Sequence, residues 1–411
     1  MTVSRTLHNI AGGVMACLAV GCASRAPQAG VVSADVSRAT SGGNRAPAPG
    51  DGSLATQLQR LTDSVRSAQQ WPGLSVAVVL PNGNRIAAAS GFADTVRKVP
   101  LTVTDKLLQG SVGKTYVSAV AMQLVAEGVL DLDAPISKYL GQEVWFDSLP
   151  NARAVTVRQI MQHTRGLVRY EFQPAVTARL RAEPFKVWTP VERLRALFGA
   201  PPPFAAGQGW EYSDTNYIVL GMIIERLTGR SYYEEVQRRV LGPLALRNTI
   251  PSDQRAMSGV ANGYAGPKND LGGYDASVGP DGLFAINPQF EWTGGGMAST
   301  TGDLAQWAKL LYEGKAFPAI MLPVMLDGVP ARLGANARYG LGVIIRPTPL
   351  GISWGHSGFF PGYATEMAYF PLSKIAVAIQ VNMTDPYPRG LVPLLQRFAR
   401  AAGARDSSTS R

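Results

Sequence analysis

The sequence predicts an α/β fold in which one sheet is built from both ends of the chain, with an all-helical lobe inserted between them. Two observations predict it. β-rich runs gather near residues 74–90 and 340–381, and the stretch from about Thr102 to Leu311 repeats its apolar residues mainly at helical spacing. From Leu74 to Leu80 a run rich in β-branched residues meets Pro81-Asn82-Gly83-Asn84 and then Arg85–Ser90, the pattern of a β-hairpin closed by an Asn-Gly turn. In the middle, Val117, Val120 and Leu124 mark one helix, and Ile218, Met222 and Leu227 mark another running from Ile218 to Thr228. A third, Asp303–Leu311, follows the capping residues Ser299-Thr300-Thr301. Strand patterns return at Gly340–Ile345, Ala364–Phe370 and Ile375–Val381, with Pro371-Leu372-Ser373-Lys374 as the turn between the last two. Leu391, Leu394, Leu395 and Phe398 then stripe a closing helix.

Composition bounds the function. With 411 residues, 46% of them hydrophobic and 17% charged, the chain can bury a sizeable core. A net charge of +10 and a pI near 9.7 invite a nucleic-acid reading. The arginines, however, stand singly or in short pairs such as Arg238-Arg239, and no basic run is interleaved with aromatics, so nucleic acid is not an expected partner. A diffuse positive surface fits acidic envelope polymers or plain solubility.

Residues 1–22 carry Arg5, the uncharged stretch Ile10–Val20 and small residues ending in Gly21-Cys22, the layout of a secretory signal peptide too short for a comfortable membrane span. Leu18-Ala19-Val20-Gly21-Cys22 also looks like a lipoprotein processing site. Cys22 would then be the lipidated first residue, anchoring the mature chain at a membrane of the periplasm or cell envelope; cleavage after Ala23 is the alternative. Cys17 and Cys22 are the two cysteines, so the mature chain would hold no intrachain disulfide. Residues 23–52, dominated by Ala, Gly, Ser, Pro and Arg, read as a disordered tether, 54–403 as one catalytic domain and 404–411 as a disordered tail.

Three short motifs carry chemistry. Ser111-Val112-Gly113-Lys114 stands just before a strong helix, and residues three apart share a helix face, so the two side chains should meet. A serine hydroxyl is a weak nucleophile until a base takes its proton, and a lysine is such a base when burial or a second cation lowers its pKa. The N–H groups at a helix start face a developing oxyanion. Tyr212-Ser213-Asp214 precedes the second helix, and His356-Ser357-Gly358 lies between Trp354-Gly355 and Phe359-Phe360. Taken singly each is weak: a serine-capped helix start, a capped loop and a structural histidine explain them equally well. The glycine run Gly294-Gly295-Gly296 is followed by no lysine and does not read as a phosphate loop. With three histidines, His8 among them inside the leader, neither a metal site nor a cofactor is expected.

In this order the motifs give the chain a resemblance to the serine β-lactamase and penicillin-binding-protein superfamily, in its class C-like branch. The resemblance runs from Trp71-Pro72-Gly73-Leu74 to about Asn382. It includes Gln109-Gly110 ahead of Ser111, Glu127-Gly128-Val129-Leu130-Asp131, Gln162-His163-Thr164-Arg165-Gly166-Leu167 and Gly295-Gly296-Met297-Ala298-Ser299-Thr300. It implies a β-lactamase/DD-peptidase-like fold, an antiparallel sheet flanked by helices, with the active site between the α/β part and the helical lobe. By the resemblance Ser111 is the nucleophile, Lys114 its proton acceptor or electrostatic partner, and Tyr212 the second acid/base group. His356, Ser357 and Gly358 would border the cleft on the sheet's edge strand, and the oxyanion hole would be the backbone N–H groups of Ser111 and Phe359. His163 is read as structural, and Arg165, in place of the more usual serine, has no account.

Two departures bear on chemistry. Asp214 stands where the family usually has asparagine, an acceptor-only carboxylate in place of an amide that also donates. Either it sits beside Lys114, holds it as an ammonium whose charge depresses the pKa of Tyr212, and passes proton transfer to Tyr212; or it caps the helix from Ile218 or turns to solvent. His356 replaces the lysine of many β-lactamases, as in the D-alanyl-D-alanine carboxypeptidase and D-aminopeptidase branch. The expected reaction is acyl transfer from an amide or ester to water, with D-amino-acid peptides first, small esters or lactones next and β-lactams third. The competing class is a penicillin-binding envelope protein acylated without turnover.

Overall fold

The computed structural model describes residues 53–266 and 275–406. The expected leader with Cys22, the tether and residues 407–411 of the expected tail lie outside the described residues. In chain order the strands are β1 (Gly73–Val79), β2 (Arg85–Asp94), β3 (Val99–Pro100), β4 (Lys106–Leu108), β5 (Thr249–Pro251), β6 (Met297–Thr300), β7 (Val329–Pro330), β8 (Arg338–Tyr339), β9 (Ile344–Thr348), β10 (Gly351–Phe360), β11 (Tyr363–Phe370) and β12 (Ile375–Val381). Nine of them form one antiparallel sheet in the order β3-β2-β1-β12-β11-β10-β9-β8-β7. The two ends of the chain meet where β1 pairs with β12, from Leu74↔Val381 to Val79↔Ala376. The sheet expected from both ends is therefore the sheet that forms.

Both central strands are buried along their whole length, and their alternation sorts side chains between two cores. Leu74, Val76 and Val78 of β1, with Val377, Ile379 and Val381 of β12, face Leu58 and Val65 of the helix Leu54–Gln69 and Leu395 and Phe398 of the helix Leu391–Ala401. On the opposite face Ala77, Ala376 and Ala378 join the larger core with the helix Thr301–Tyr312. Each large side chain buried this way stabilises the fold by about 1.5–3 kcal/mol.

The helix Leu54–Gln69 is not among the expected elements, although Leu54, Leu58, Leu61 and Val65 recur at helical spacing. Leu58, Thr62 and Val65 are its buried residues, and the Thr62 hydroxyl donates to the Leu58 carbonyl at 2.7 Å. The middle of the chain is not only helical either, because β4, β6 and β5 pair into a second small sheet. The folded body also runs into the expected tail: Ala404 is buried and Asp406 pairs with Arg400 at 2.8 Å.

The helix Lys114–Ala126 is buried nearly all round, as a helix through the middle of a core must be. Tyr116 stacks on Trp307 with ring centroids 4.4 Å apart, and the Trp307 indole N–H donates to Thr115 Oγ1 at 2.7 Å. These contacts lock the start of this helix to the helix against the sheet. Among the described residues no helix is long and apolar enough to cross a membrane.

Candidate active site

Ser111 sits in a single 3-10 turn, Gly110–Gly113, that leads from β4 into the helix Lys114–Ala126. The turn is pressed between two other backbones. Gly110 has φ +53°, and a Cβ there would collide with the backbone of Phe359 on β10; a Cβ on Gly113 would collide with the Gly295 carbonyl. The glycine run of the sequence is thus a close-packing surface for the nucleophile turn. It also supplies a ligand, since the Gly294 carbonyl accepts a short hydrogen bond from Lys114 Nζ.

Lys114 is fully buried, and Nζ further donates to Ser111 Oγ at 2.9 Å and to Asp214 Oδ1 at 2.5 Å. An ammonium has three protons and no lone pair, and here all three have acceptors. Asp214 lies 7% exposed at the first position of the helix Asp214–Thr228, which starts one turn before the expected Ile218. Its carboxylate points into the site, not to solvent, and at a helix N-terminus a negative charge is favoured.

The ring of Tyr212 lies 4.9 Å from Lys114 Nζ and 5.4 Å from the Arg169 guanidinium carbon. Its hydroxyl is buried without a completed hydrogen bond; nearby Ser111 only tempers what burial does. Burial first, and the Asp214 carboxylate second, push the phenol well above its usual range. This corrects the expectation that the charge of Lys114 depresses Tyr212. Asp214 takes up that charge and itself acts in the opposite direction.

His356 lies buried on β10. Nδ1 is 2.6 Å from the Ser357 carbonyl, which only accepts, so Nδ1 carries the proton and Nε2 accepts from the Tyr339 hydroxyl at 2.9 Å. Burial, then the charge of Lys114, push this imidazole down to about 3, and it is neutral. Ser357 Oγ accepts from Arg346 at 2.9 Å, while a Cβ at Gly358 would collide with the Gln109 carbonyl. β10 is not the edge strand of the sheet, since β9, β8 and β7 lie beyond it. Its register with β9 ends at Gly355↔Ile344, so the half that carries His356–Phe359 runs on past that pairing.

His163 holds the Tyr212 turn. Its Nδ1 accepts from Asn216 Nδ2 at 2.9 Å and from the Ser213 N–H at 3.3 Å, and burial pushes it well below its ordinary value. Arg165 is fully buried, with no hydrogen-bond partner for its guanidinium among the described residues, and burial pulls it down to about 9; nothing in the structure explains this residue. Among the described residues no group of three or more His, Cys, Asp or Glu side chains is placed to hold a metal ion.

The sequence model of the Beta-lactamase family matches residues 56–400. The chain belongs to the beta-lactamase family. It is 25% identical over 317 residues to penicillin-binding protein 4* of Bacillus subtilis, covering 75% of this chain and 68% of that protein. It is 25% identical over 333 residues to the D-aminopeptidase of Brucella ovis, covering 79% of this chain and 59% of that one, less than two thirds of its length. Among solved structures, D-amino acid amidase from Ochrobactrum anthropi SV3 complexed with D-phenylalanine matches with a TM-score of 0.72 and 26% identity, over 87% of this chain and 99% of that one. The chain is a serine hydrolase of the β-lactamase and penicillin-binding-protein superfamily, on the branch with D-aminopeptidase and D-amino acid amidase relatives.

In this beta-lactamase family member three charged residues beside the site escaped the reading of the sequence. Arg169 Nε donates to Glu171 Oε1 at 2.6 Å, and Glu171 is pushed up to about 7, by burial first and the Asp214 carboxylate second. Glu291 is pushed well up by burial and then by Asp214. In the sequence each carboxylate stands between two aromatic residues, Tyr170-Glu171-Phe172 and Phe290-Glu291-Trp292, a local hint of a place near the core. A cavity of about 630 Å³ adjoins Tyr212 and is lined in part by Arg169, Phe204, Trp210 and Arg332.

Proposed function

We propose that the protein hydrolyses amide bonds of D-amino-acid peptides through an acyl-enzyme on Ser111. The observation that carries the reading is the Lys114 ammonium held between Ser111 Oγ and Asp214 Oδ1. With its three protons engaged, Lys114 acts by charge, lowering the cost of a forming serine alkoxide, and not as the resting base. Tyr212, a neutral phenol, then serves as a two-way carrier. As Ser111 Oγ bonds to the carbonyl carbon, its proton passes to the Tyr212 oxygen while the phenolic proton passes to the leaving nitrogen, and the C–N bond breaks. Water attacks the ester along the same path in reverse, its proton passing through Tyr212 to Ser111 Oγ as the ester bond breaks. The N–H groups of Ser111 and Phe359 receive the oxyanion, a role supported by the close approach of Gly110 to Phe359.

The relatives support D-amino-acid chemistry, and the cavity beside Tyr212, with Arg169 and Arg332 on its lining, suits a peptide that bears a carboxylate. We also propose export with Cys22 as the lipid-bearing residue, supported by the leader pattern of residues 1–22. The test is incubation with a fluorophosphonate, a fluorescent penicillin and a D-alanyl-D-alanine peptide, followed by intact mass and product analysis, for the wild type and Ser111→Ala. One adduct in the wild type, none in the variant and release of D-alanine support the reading. Penicillin labelling without peptide turnover would instead favour the binding-protein class.

A further inference from the structure

We propose that Glu171 is a positioning residue for catalysis: its carboxylate holds Arg169 over the ring of Tyr212, and loss of that carboxylate's charge releases the hold. The inference rests on Tyr212 as the proton carrier.

The backbone around the two residues is already joined. The Val168 carbonyl accepts from Ser213 Oγ at 3.1 Å and from Thr215 Oγ1 at 3.0 Å, and the Tyr170 N–H donates to Thr215 Oγ1 at 3.2 Å. The Tyr170 hydroxyl donates to the Phe290 carbonyl at 2.9 Å. Residues 168–171 therefore run beside the turn that carries Tyr212 and Asp214, and side chains decide the rest. The Arg169 guanidinium lies 5.4 Å from the Tyr212 ring centre, and its Nε is 2.6 Å from Glu171 Oε1. Arg169 is 35% exposed and lines the cavity, so its guanidinium has room to shift from its place over the ring when the pull of the carboxylate is lost. Glu171 is 6% exposed, and its second oxygen is buried without a hydrogen-bond partner. A carboxylate kept in that state is costly unless its charge is used.

Charge pairs off around the ring. Lys114 lies against Asp214 and Arg169 against Glu171, so the second pair supplies a fixed guanidinium face that limits the swing of the phenol away from Ser111. The groups that face Glu171 are Arg169 and Tyr170 on its own segment, Tyr212, Asp214 from the helix Asp214–Thr228, and Glu291 from the turns before β6. Burial and Asp214 bring Glu171 up to about 7, while His356 and His163 are both pushed far below neutrality. Mild acid thus protonates Glu171 without charging either imidazole.

The test follows single-turnover acylation by a D-amino-acid p-nitroanilide against pH, in the wild type, Glu171→Gln, Arg169→Gln and the double variant, with thermal melts alongside. The wild-type rate should rise over roughly pH 6 to 8. Each single variant should lose that rise and run about tenfold to a hundredfold slower at the upper end, with the double variant no slower than either single one. A wild-type rise kept in Glu171→Gln, or losses that multiply in the double variant, overturns the proposal; Arg169→Gln carries the test where Glu171→Gln does not fold. A wild-type rate in Tyr212→Phe overturns both this inference and the function it rests on. A normal Tyr212 dependence with an unaltered pH rise in Glu171→Gln overturns this inference alone.

Discussion

Lys114 Nζ lies 2.5 Å from Asp214 Oδ1 and 2.9 Å from Ser111 Oγ, so the cation nearest the nucleophile is already paired with a carboxylate. The same carboxylate is the second cause, after burial, that raises the Tyr212 phenol. One residue thereby bears on both the cation and the phenol that flank Ser111.

Asp214→Asn removes the charge and keeps an acceptor for Lys114. The phenol should move back toward its ordinary range, and the alkaline part of the pH–rate profile of acylation should shift to lower pH. Stability should fall by up to about 3 kcal/mol, because a buried ammonium loses its counter-charge. An unchanged profile with a lower Tm would make Asp214 purely structural.

Gly113→Ala tests the packing of the nucleophile turn. The new methyl group meets the carbonyl of Gly295, backbone against backbone, and no rotamer change relieves it. The turn must shift, carrying Ser111 with it. Labelling by a fluorophosphonate should slow by about a hundredfold, with a loss of roughly 1–3 kcal/mol in stability. Labelling at the wild-type rate would show that the turn has room.

Legibility followed pattern length. The strands at 364–370 and 375–381 match observed elements within a residue, and the hairpin closed at Asn82-Gly83 and the closing helix form where expected, though β2 runs to Asp94, four residues past Ser90; unbroken apolar or striped runs leave little choice. The helix Leu54–Gln69, whose stripe Leu54, Leu58, Leu61 and Val65 is short and set among polar residues, was legible and is missing from the expected elements. What stayed hidden depended on single residues in context. The glycines at 355 and 358 disguised β10, where they let β11 and the nucleophile segment from Gln109 approach. The motif residues were named from the order of three short patterns, and the structure brings Ser111, Lys114, Tyr212 and Asp214 together. Arg169, Glu171 and Glu291 carry no motif of their own, and their effect on the site arises only once the fold brings them beside Tyr212 and Asp214.

If Cys22 carries lipid, the exported protein should fractionate with membranes, and Cys22→Ser should release it to the soluble fraction. Mass analysis of the mature N-terminus decides the matter. A soluble wild type that begins at Ser24 removes the anchor and leaves the chemistry of Ser111 as it stands.

Glu291 gives a stability prediction with a definite sign. It is buried, its Oε2 has no hydrogen-bond partner, and its carboxyl is pushed well above the ordinary 4.5 by burial and by Asp214, against the weaker pull of Lys114. A carboxyl raised in the folded state binds its proton more tightly there than in the unfolded chain. Its contribution to stability is therefore complete below about pH 4.5, the unfolded value, and is lost as pH rises from there through the raised folded value. Glu291→Gln keeps the shape and the hydrogen-bonding capacity of the protonated form and removes the titration. At pH 4 the two proteins should melt within a degree or two of each other. At pH 8 the variant should be the more stable, by roughly 1–3 kcal/mol. The measurement is the difference in Tm between wild type and Glu291→Gln at steps across this range. A gap that stays constant with pH would mean that Glu291 holds its proton equally well folded and unfolded, with the pull of Lys114 cancelling burial and Asp214.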